Sequence, residues 1–394
     1  MRLTCTGKAR KLISNWETLG SALNIAPKYL AHALYSRDSM QHRIRLGKRV
    51  VYKSDPLLHF VQNRLSLIAE PLLDELPGND VVLSYRRGQN PVEEIKKLTG
   101  AKLLISTDIK KFYDHVVVPH IAGALMDCGF SKNGAKLIAR YCIVKRGEHM
   151  HTLQQGCPAS PAISNLVGYK YFDRPITKWL KENLNDVEYK YVRYCDNIEL
   201  FIYGKVPEDF PARYKEEVKK ITGEAGFRTH DWATISDSHP KLNQKFLGVV
   251  LNSKARVERG MIDELRATLF NLCVKGLSDA EIARYMRSLG KIPLNTEVGS
   301  DGAPVDAAVN EMLRGQALRI LGGKVAYVRS VNDRHGKWLG KLLALAKDLA
   351  TDVTFRANVQ SIGYHKKWKD SVLKYKDDSQ DTEAFLALFD YARY

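Results

Sequence analysis

Two aspartates lie in settings where a carboxylate is expected to bind a cation. Asp108 ends an apolar run that is predicted to form a buried strand, and Asp196 lies between two segments rich in aromatic and β-branched residues. A carboxylate at the end of a buried strand is unfavourable unless it is hydrogen-bonded, paired or bound to a cation. If the fold brings the two strands side by side, the two carboxylates can hold Mg²⁺, which prefers a few carboxylates together with substrate phosphates.

The segment around Asp196, residues 189–203, is predicted to be a hairpin. Its flanks favour pleated strands, and Cys195-Asp196-Asn197 at its centre tolerates a tight turn. Asp196 would then be displayed at the tip of the hairpin. A single Asp at a turn is more often only a turn residue, so a metal site here depends on the second carboxylate, Asp108.

A third segment, residues 155–165, places a Gly-Pro-Ser loop before a long helical pattern that runs towards Lys181. Ser160 is predicted to cap this helix, and Pro161 suits its first position. A loop that enters a helix N-terminus can also present backbone N–H groups to an anion or a nucleotide.

These three segments, taken in chain order, resemble a known family. They read Asp-x-x-x-Phe-Tyr from Asp108, Gln-Gly-x-Pro-x-Ser-Pro-x-x-Ser-Asn from Gln155, and Tyr-x-Asp-Asn from Tyr194. They resemble motifs A, B and C of the palm of reverse transcriptases, especially the bacterial ones related to retrons and group II introns. The resemblance implies an α+β right-hand polymerase fold with fingers, a palm with an antiparallel sheet, and a helical thumb. It also implies an RNA-directed DNA polymerase that uses two Mg²⁺ ions.

The resemblance assigns metal-binding roles to individual residues. Asp108 and Asp196 match the carboxylates that bridge the two metal ions, and the backbone carbonyl of Ile109 matches a main-chain metal contact. Asn197 belongs to the catalytic pair but stands where the family normally has a second Asp. This replacement is expected to weaken the negative charge of the site without abolishing metal binding.

The resemblance also implies a nucleotide site. Tyr113 matches the bulky position that excludes a ribose 2′-hydroxyl, which implies deoxynucleotides as substrates. Gln155 and Gly156 match contacts to the nucleotide and template pair, and a glycine allows close backbone approach.

Several basic residues are candidates for phosphate contacts, with solvated surface charge as the alternative. Residues 41–52 are predicted to form a hairpin similar to the fingers hairpin that meets the incoming triphosphate, and Arg49 is the preferred contact. Lys48, Arg43 or Arg45 would assist it. Residues 81–90 are predicted to be a strand that runs into a basic loop. The nucleic-acid contacts predicted in that loop and in the thumb are Arg86, Arg87, Lys324 and Arg329.

Other positions depart from the family. The lysine expected in motif D is missing from residues 229–234, where His230 is the only suggested substitute. The Val-Thr-Gly and Asn-Ala-x-x-His elements of retron enzymes are also missing, which indicates a relative of the retron enzymes and not a retron enzyme itself. We therefore predict a polymerase that copies a structured, neighbouring non-coding RNA into cDNA in bacterial anti-phage defence. Template-independent or protein-primed DNA synthesis, and RNA binding without catalysis, stay open as alternatives.

Composition limits the partners and the compartment. The net charge of +17 over 394 residues favours a polyanionic partner, so the expected partners are template RNA, an RNA–DNA duplex and dNTPs. No apolar run is long enough to cross a bilayer, and a cytoplasmic protein is expected. Six cysteines without a Cys-x-x-Cys pair indicate neither a zinc site nor a disulfide framework.

The predicted organisation has five parts. They are an N-terminal helical extension (1–40), fingers (41–100), a palm with part of the fingers (101–252), a helical thumb (253–350) and a basic, aromatic tail (351–394). The oligomeric state stays open.

Overall fold

The computed structural model describes residues 7–46, 49–146, 150–239, 241–275, 278–292 and 296–349. The chain divides into two compact units, one ending at Gln244 and one beginning at Lys245.

The first unit combines many helices with two hairpins and a central sheet. Its α-helices are α1 Gly7–Leu12, α2 Trp16–Leu23, α3 Pro27–Tyr35, α4 Pro56–Ala69, α5 Pro91–Lys96, α6 Phe112–His115, α7 Val118–Asp127, α8 Lys132–Cys142, α9 Ser160–Gly168, α10 Arg174–Asn183 and α11 Phe210–Glu224. A π-helical turn, Tyr169–Asp173, joins α9 to α10, and 3₁₀ turns cover Glu70–Glu75 and Asn79–Val81. The strands are β1 Gln41–Leu46, β2 Arg49–Ser54, β3 Leu103–Asp108, β4 Ile143–Arg146, β5 Met150–Leu153, β6 Tyr189–Tyr194, β7 Asn197–Ile202 and β8 Ala233–Ser236.

The central sheet has the order β6-β7-β3-β8, and every neighbouring pair is antiparallel. Residues 198–202 of β7 are buried throughout, as expected for a central strand with both faces covered. Helices pack against this sheet through an apolar core in which the rings of Phe112, Phe172 and Phe227 lie 4.9–5.7 Å apart. The core therefore supports the end of β3, which carries Asp108, and the β6–β7 turn, which carries Asp196.

The second unit is mainly helical. Its short antiparallel strands are β9 Lys245–Phe246, β10 Val249–Val250 and β11 Arg256–Val257, and its helices are α12 Arg259–Lys275, α13 Asp279–Ser288, α14 Ala307–Val331 and α15 Asp333–Leu349. The long helix α14 packs against the other three helices. At the turn between β9 and β10, the Tyr327 hydroxyl donates a hydrogen bond to the Leu247 carbonyl at 2.9 Å.

The structure confirms the α+β class and both predicted hairpins, and the strand that ends at Asp108 is present as predicted. The strand predicted in residues 81–90 is wrong. That segment starts as a 3₁₀ turn and makes a single bridge, Val82 to Arg193. The Ser84 side chain then bonds to Asn165 of α9 and to the Cys195 turn rather than to a strand, so no ladder forms. The structure shows no helix long and apolar enough to span a membrane within its described ranges.

Candidate active site

The two predicted metal-binding aspartates lie at the same end of the central sheet. In the antiparallel pairing of β3 with β7, Asp108 is opposite Asn197, the first residue after Asp196. The Ile109 N–H donates a hydrogen bond to the Asp196 carbonyl at 2.8 Å. The backbone of Asp196 is therefore bonded to the residue that follows Asp108, and the prediction that the two strands lie side by side is confirmed.

The turn before Asp196 is held in an uncommon conformation. Cys195 has a φ of 56°, in the left-handed region, which costs an L-residue about 1–2 kcal/mol. Its N–H donates to Ser84 Oγ at 2.9 Å, and its carbonyl accepts from the Arg193 guanidinium at 2.7 Å. Hydrogen bonds on both sides of Cys195 therefore fix the backbone that presents Asp196.

Arg193 is completely buried and connects the turn to the helix of motif B. Its guanidinium binds both carboxylate oxygens of Asp173 at 2.8–2.9 Å and donates to the Asn165 carbonyl at 3.1 Å. The Tyr191 hydroxyl donates to the same carboxylate at 2.9 Å. Burial alone would lower the pKa of Arg193, but the Asp173 carboxylate raises it, so the pair stays charged inside the protein.

Gly168 provides the space that this guanidinium occupies. A Cβ at position 168 would overlap the Arg193 guanidinium. The glycine on α9 is therefore required by the packing of Arg193.

Asp108 faces a polar and partly open region. Its side chain is 42% exposed, and the nearest histidine nitrogen, His230 Nδ1, lies 4.0 Å from Asp108 Oδ1. The His230 N–H donates to the Asp108 carbonyl at 2.7 Å. His230, suggested as a substitute for the missing motif D lysine, therefore lies beside one of the two carboxylates.

A third carboxylate, Glu199, lies within the sheet behind this site. It is buried and accepts a hydrogen bond from Ser106 Oγ at 3.0 Å, while its Oε2 has no hydrogen-bond partner among the described residues. Burial, and to a smaller extent the Asp108 charge, raises the pKa of Glu199 to about 8. The neutral form of Glu199 therefore dominates at pH 7.

Tyr113 extends from motif A to motif B. Its hydroxyl donates to Ser164 Oγ at 3.3 Å, and burial raises its pKa. Its phenol also neighbours Tyr85, a residue with a φ of 53°. The ring that is predicted to exclude the 2′-hydroxyl is thus held between motif B and the loop that contains Ser84.

The motif B loop is tied to the hairpin formed by β1 and β2. The Tyr52 N–H donates to the Gln155 carbonyl at 2.7 Å. Gly156 has a φ of +106°, and a Cβ there would overlap the Tyr52 carbonyl. The close approach that Gly156 allows in this structure is to Tyr52, and its predicted contact with nucleotide stays a prediction.

Gln154, next to the predicted Gln155, is the more deeply buried of the two glutamines. Its side-chain oxygen accepts from Gln41 and Gln62 at 2.8 Å each, and its nitrogen donates to the Tyr52 carbonyl at 3.1 Å.

The predicted capping role of Ser160 is wrong. Ser160 lies inside α9 after Ala159, and its hydroxyl donates to the Gln154 carbonyl at 2.7 Å.

Comparison with known proteins identifies the family. The profile of the family described as reverse transcriptase (RNA-dependent DNA polymerase) matches residues 49–251, just over half of the chain. The chain belongs to the reverse transcriptase family. The matched region contains motifs A, B and C and the sheet that carries them.

Among similar proteins, the Retron Mx162 reverse transcriptase of Myxococcus xanthus is 23% identical over 65% of this reverse transcriptase chain and 55% of its own length. The Retron Ec83 reverse transcriptase of Escherichia coli is 26% identical over 39% of this chain and 48% of its own length. The chain spans about half the length of these two relatives. The telomerase of Candida albicans, solved with a TWJ fragment of telomeric RNA, gives a TM-score of 0.44 at 11% identity over 88% of this chain and 63% of the telomerase.

The donors of the reverse transcriptase site suit Mg²⁺. The predicted ligands are the carboxylates of Asp108 and Asp196 and the carbonyl of Ile109, and oxygen donors are what this ion prefers. No group of three or more His, Cys, Asp or Glu side chains in the described ranges could hold a metal by itself.

The predicted basic contacts lie in different surroundings. Arg86 already has partners within the protein, because its guanidinium binds Asp74 and the side chain of Asn79, each at 2.7 Å. Arg87 is exposed. Lys48 and the side chain of Arg49 lie outside the described residues.

Lys324 and Arg329 belong to the second unit, on α14. The ammonium of Lys324 contacts Glu264 at 3.0 Å and lies 6.0 Å from the Tyr285 ring centre. The contacts of both residues with nucleic acid stay predictions.

Sequence reasoning missed Ser84, Asp173, Arg193 and Glu199. Arg193 and Glu199 carry a usable signal, because each is a charged residue inside an otherwise apolar or aromatic strand. A charge that must be buried needs a partner.

Proposed function

We propose that this reverse transcriptase-family chain is an active RNA-directed DNA polymerase. The observation that carries the proposal is the pairing of β3 with β7, in which Asp108 is opposite Asn197 and the Ile109 N–H is bonded to the Asp196 carbonyl. A chain that only bound RNA would not require two carboxylates at one end of a sheet with Tyr113 beside them.

In the proposed reaction, a primer 3′-hydroxyl attacks the α-phosphate of a dNTP and pyrophosphate leaves. Two Mg²⁺ ions, when bound, would lower the pKa of the 3′-hydroxyl and stabilise the charge on the leaving group. Asp108, Asp196 and the Ile109 carbonyl would hold them. The protein's own contribution is position, because the bonded Cys195 turn keeps Asp196 in place before substrate arrives.

Asn197 supports the site in a way that an aspartate would not. Its amide nitrogen lies 3.3 Å from Asp196 Oδ1 and 3.4 Å from the Tyr194 carbonyl, so it donates to both. An aspartate there would repel Asp196 unless a cation lay between them. The site therefore carries less negative charge and keeps Asp196 oriented by a hydrogen bond.

The cognate template is proposed to be a structured non-coding RNA encoded nearby, copied to cDNA in anti-phage defence in the cytoplasm. Support comes from the absence of the retron-typical elements and from the net charge of +17, which favours a polyanionic partner. Tyr113, bonded to Ser164 and beside Tyr85, supports dNTPs over rNTPs as substrates.

A primer-extension assay tests the polymerase. The purified protein would be given poly(rA)·oligo(dT), dTTP and Mg²⁺. Asp108→Asn and Asp196→Asn are each expected to lower the extension rate at least about a hundredfold, because stabilisation of the transition state by the metal is worth several kcal/mol. Asn197→Asp is expected to stay active. Asp186→Asn, at an exposed carboxylate before β6, is the control. Full extension by Asp196→Asn would refute the assignment.

Sequencing of the RNA and DNA that co-purify with the protein tests the template. The expected result is one enriched RNA together with complementary cDNA that is missing from the Asp196→Asn sample. RNA without cDNA in the wild-type sample would contradict templated synthesis.

A further inference from the structure

A basic cleft lies on the first unit, and it contains none of the predicted catalytic residues. Its volume is about 350 Å³, and its lining residues are Asp127, Lys170, Tyr171, Arg174, Pro175 and Lys178. They come from the end of α7, the π-helical turn and α10. We call this feature the outer basic cleft.

Positive charge exceeds negative charge in the cleft. Three cations face one carboxylate, with Lys170 Nζ 2.7 Å and Arg174 3.6 Å from Asp127. Lys178 has no ionic partner within the described part of the chain, and the Arg174 side chain is 67% exposed. Asp127 neutralises one charge, so a net charge of about two is left for a ligand.

The backbone arranges these cations in a row. Lys170, Arg174 and Lys178 are four residues apart, so they lie along one side of the helical segment and span about 12 Å at 1.5 Å per residue. The π-helical turn Tyr169–Asp173 begins this row, and such turns occur frequently at functional sites. An extended row of positive charge suits a ligand with repeated negative charges.

Tyr171 is packed into the wall of the cleft. Its ring packs edge-on against His120 with centres 5.2 Å apart, and its hydroxyl occupies space that a side chain at Gly123 would fill. The Lys170 ammonium lies over the same ring, 5.7 Å from its centre, so this face is not open for stacking on an unpaired base. Recognition through phosphates, as in a double-helical RNA stem whose bases are already stacked, suits the cleft better.

The same π-helical turn also reaches the active site. Asp173, its last residue, is buried and binds Arg193, and Arg193 donates to the Cys195 carbonyl beside Asp196. The turn thus bears the cleft on one side and supports the catalytic turn on the other.

We propose that the outer basic cleft binds the phosphate backbone of a double-helical RNA stem, separate from the template that is being copied. This inference rests on the proposed function, because it takes RNA to be the partner. It adds a second RNA contact, which would keep a structured RNA on the protein while another part of that RNA is copied.

The test compares two variants that remove the same charge. Arg174→Gln/Lys178→Gln removes two cations from the cleft, and Lys132→Gln/Lys136→Gln removes two exposed cations of α8 outside it. The probe is a blunt RNA hairpin with a stem of about 20 base pairs, titrated at several salt concentrations. The cleft variant is expected to bind about tenfold more weakly, with a log–log salt slope smaller by about two, whereas the α8 variant stays near wild type.

Three outcomes would overturn the inference. In the first, the wild-type protein does not bind the hairpin. In the second, both variants bind it equally more weakly than wild type. In the third, polyglutamate at equal charge concentration displaces the hairpin, which would indicate an acidic protein partner. Thermal unfolding of both variants checks that they are folded. Extension of a short poly(rA)·oligo(dT) substrate is measured in parallel and is expected to be unchanged, so failure of the polymerase and failure of the cleft give different results.

Discussion

Arg193 and Asp173 form a two-pronged ion pair with no exposure of either side chain, and it lies directly behind the turn that presents Asp196. The pair joins β6 to the π-helical turn between α9 and α10. Because Arg193 also bonds the Cys195 carbonyl, a loss of the pair should change the position of the predicted catalytic carboxylate, Asp196, as well as the stability of the protein.

The first prediction concerns this pair. Asp173→Asn leaves the Arg193 charge buried without a carboxylate, and the free energy of unfolding should fall by about 3–5 kcal/mol. Arg193→Met/Asp173→Leu removes both charges and should recover much of that loss, while primer extension stays low because the Cys195 carbonyl has lost its donor. The measurements are denaturant unfolding and the extension rate. Full activity in the double variant would show that the pair has only a structural role.

The second prediction concerns Gly156. Gly156→Ala should lower the free energy of unfolding by about 1–3 kcal/mol more than Gly226→Ala does. Both glycines have a positive φ, but only a Cβ at 156 would overlap another group, the Tyr52 carbonyl, whereas nothing lies near a Cβ at 226. Chemical denaturation of both variants measures the difference. Equal destabilisation would mean that the Tyr52 contact adds nothing beyond backbone strain.

The third prediction concerns pH. Burial raises the pKa of Glu199 to about 8, above the ordinary value of 4.5. Between these values the folded protein keeps a proton that the unfolded chain releases, so stability falls as pH rises from about 5 to 8. Glu199→Gln should remove this part of the pH dependence and leave the protein more stable than wild type at pH 8.

The test of the pH prediction is chemical unfolding of wild type and Glu199→Gln from pH 5 to 8 without divalent metal. Glu216→Gln, at an exposed carboxylate, is the control. If Glu199→Gln retains the wild-type slope, another group is responsible for it.

The fourth prediction concerns Tyr113. Tyr113→Val should raise incorporation of rNTPs relative to dNTPs by about tenfold or more, since steric discrimination by a pocket is worth 1–3 kcal/mol. Tyr113→Phe keeps the ring and loses the hydroxyl contacts with Ser164 and Tyr85, so it should stay selective for dNTPs. Single-nucleotide extension assays with each triphosphate measure the ratio. Unchanged selectivity in Tyr113→Val would exclude this side chain as the gate.

Local pattern was sufficient for the elements that carry the predicted chemistry. Aromatic and β-branched residues on both sides of Cys195-Asp196-Asn197 predicted β6, the turn and β7, and the apolar run predicted a strand that ends at Asp108. The same kind of pattern failed at residues 81–90. A strand needs a partner along its whole length, and Ser84 bonds Asn165 and Cys195 instead.

The sequence by itself determined the motifs, their order and the family, because the types and spacing of these residues are visible along the chain. Only the tertiary structure decided that Arg193 reaches Asp173 and Cys195, that Glu199 is buried, and that Gly156 lies against Tyr52. The physical reason is that burial and pairing depend on groups far apart in the chain. A charged or glycine residue signals that a partner is needed, but packing selects which group meets it.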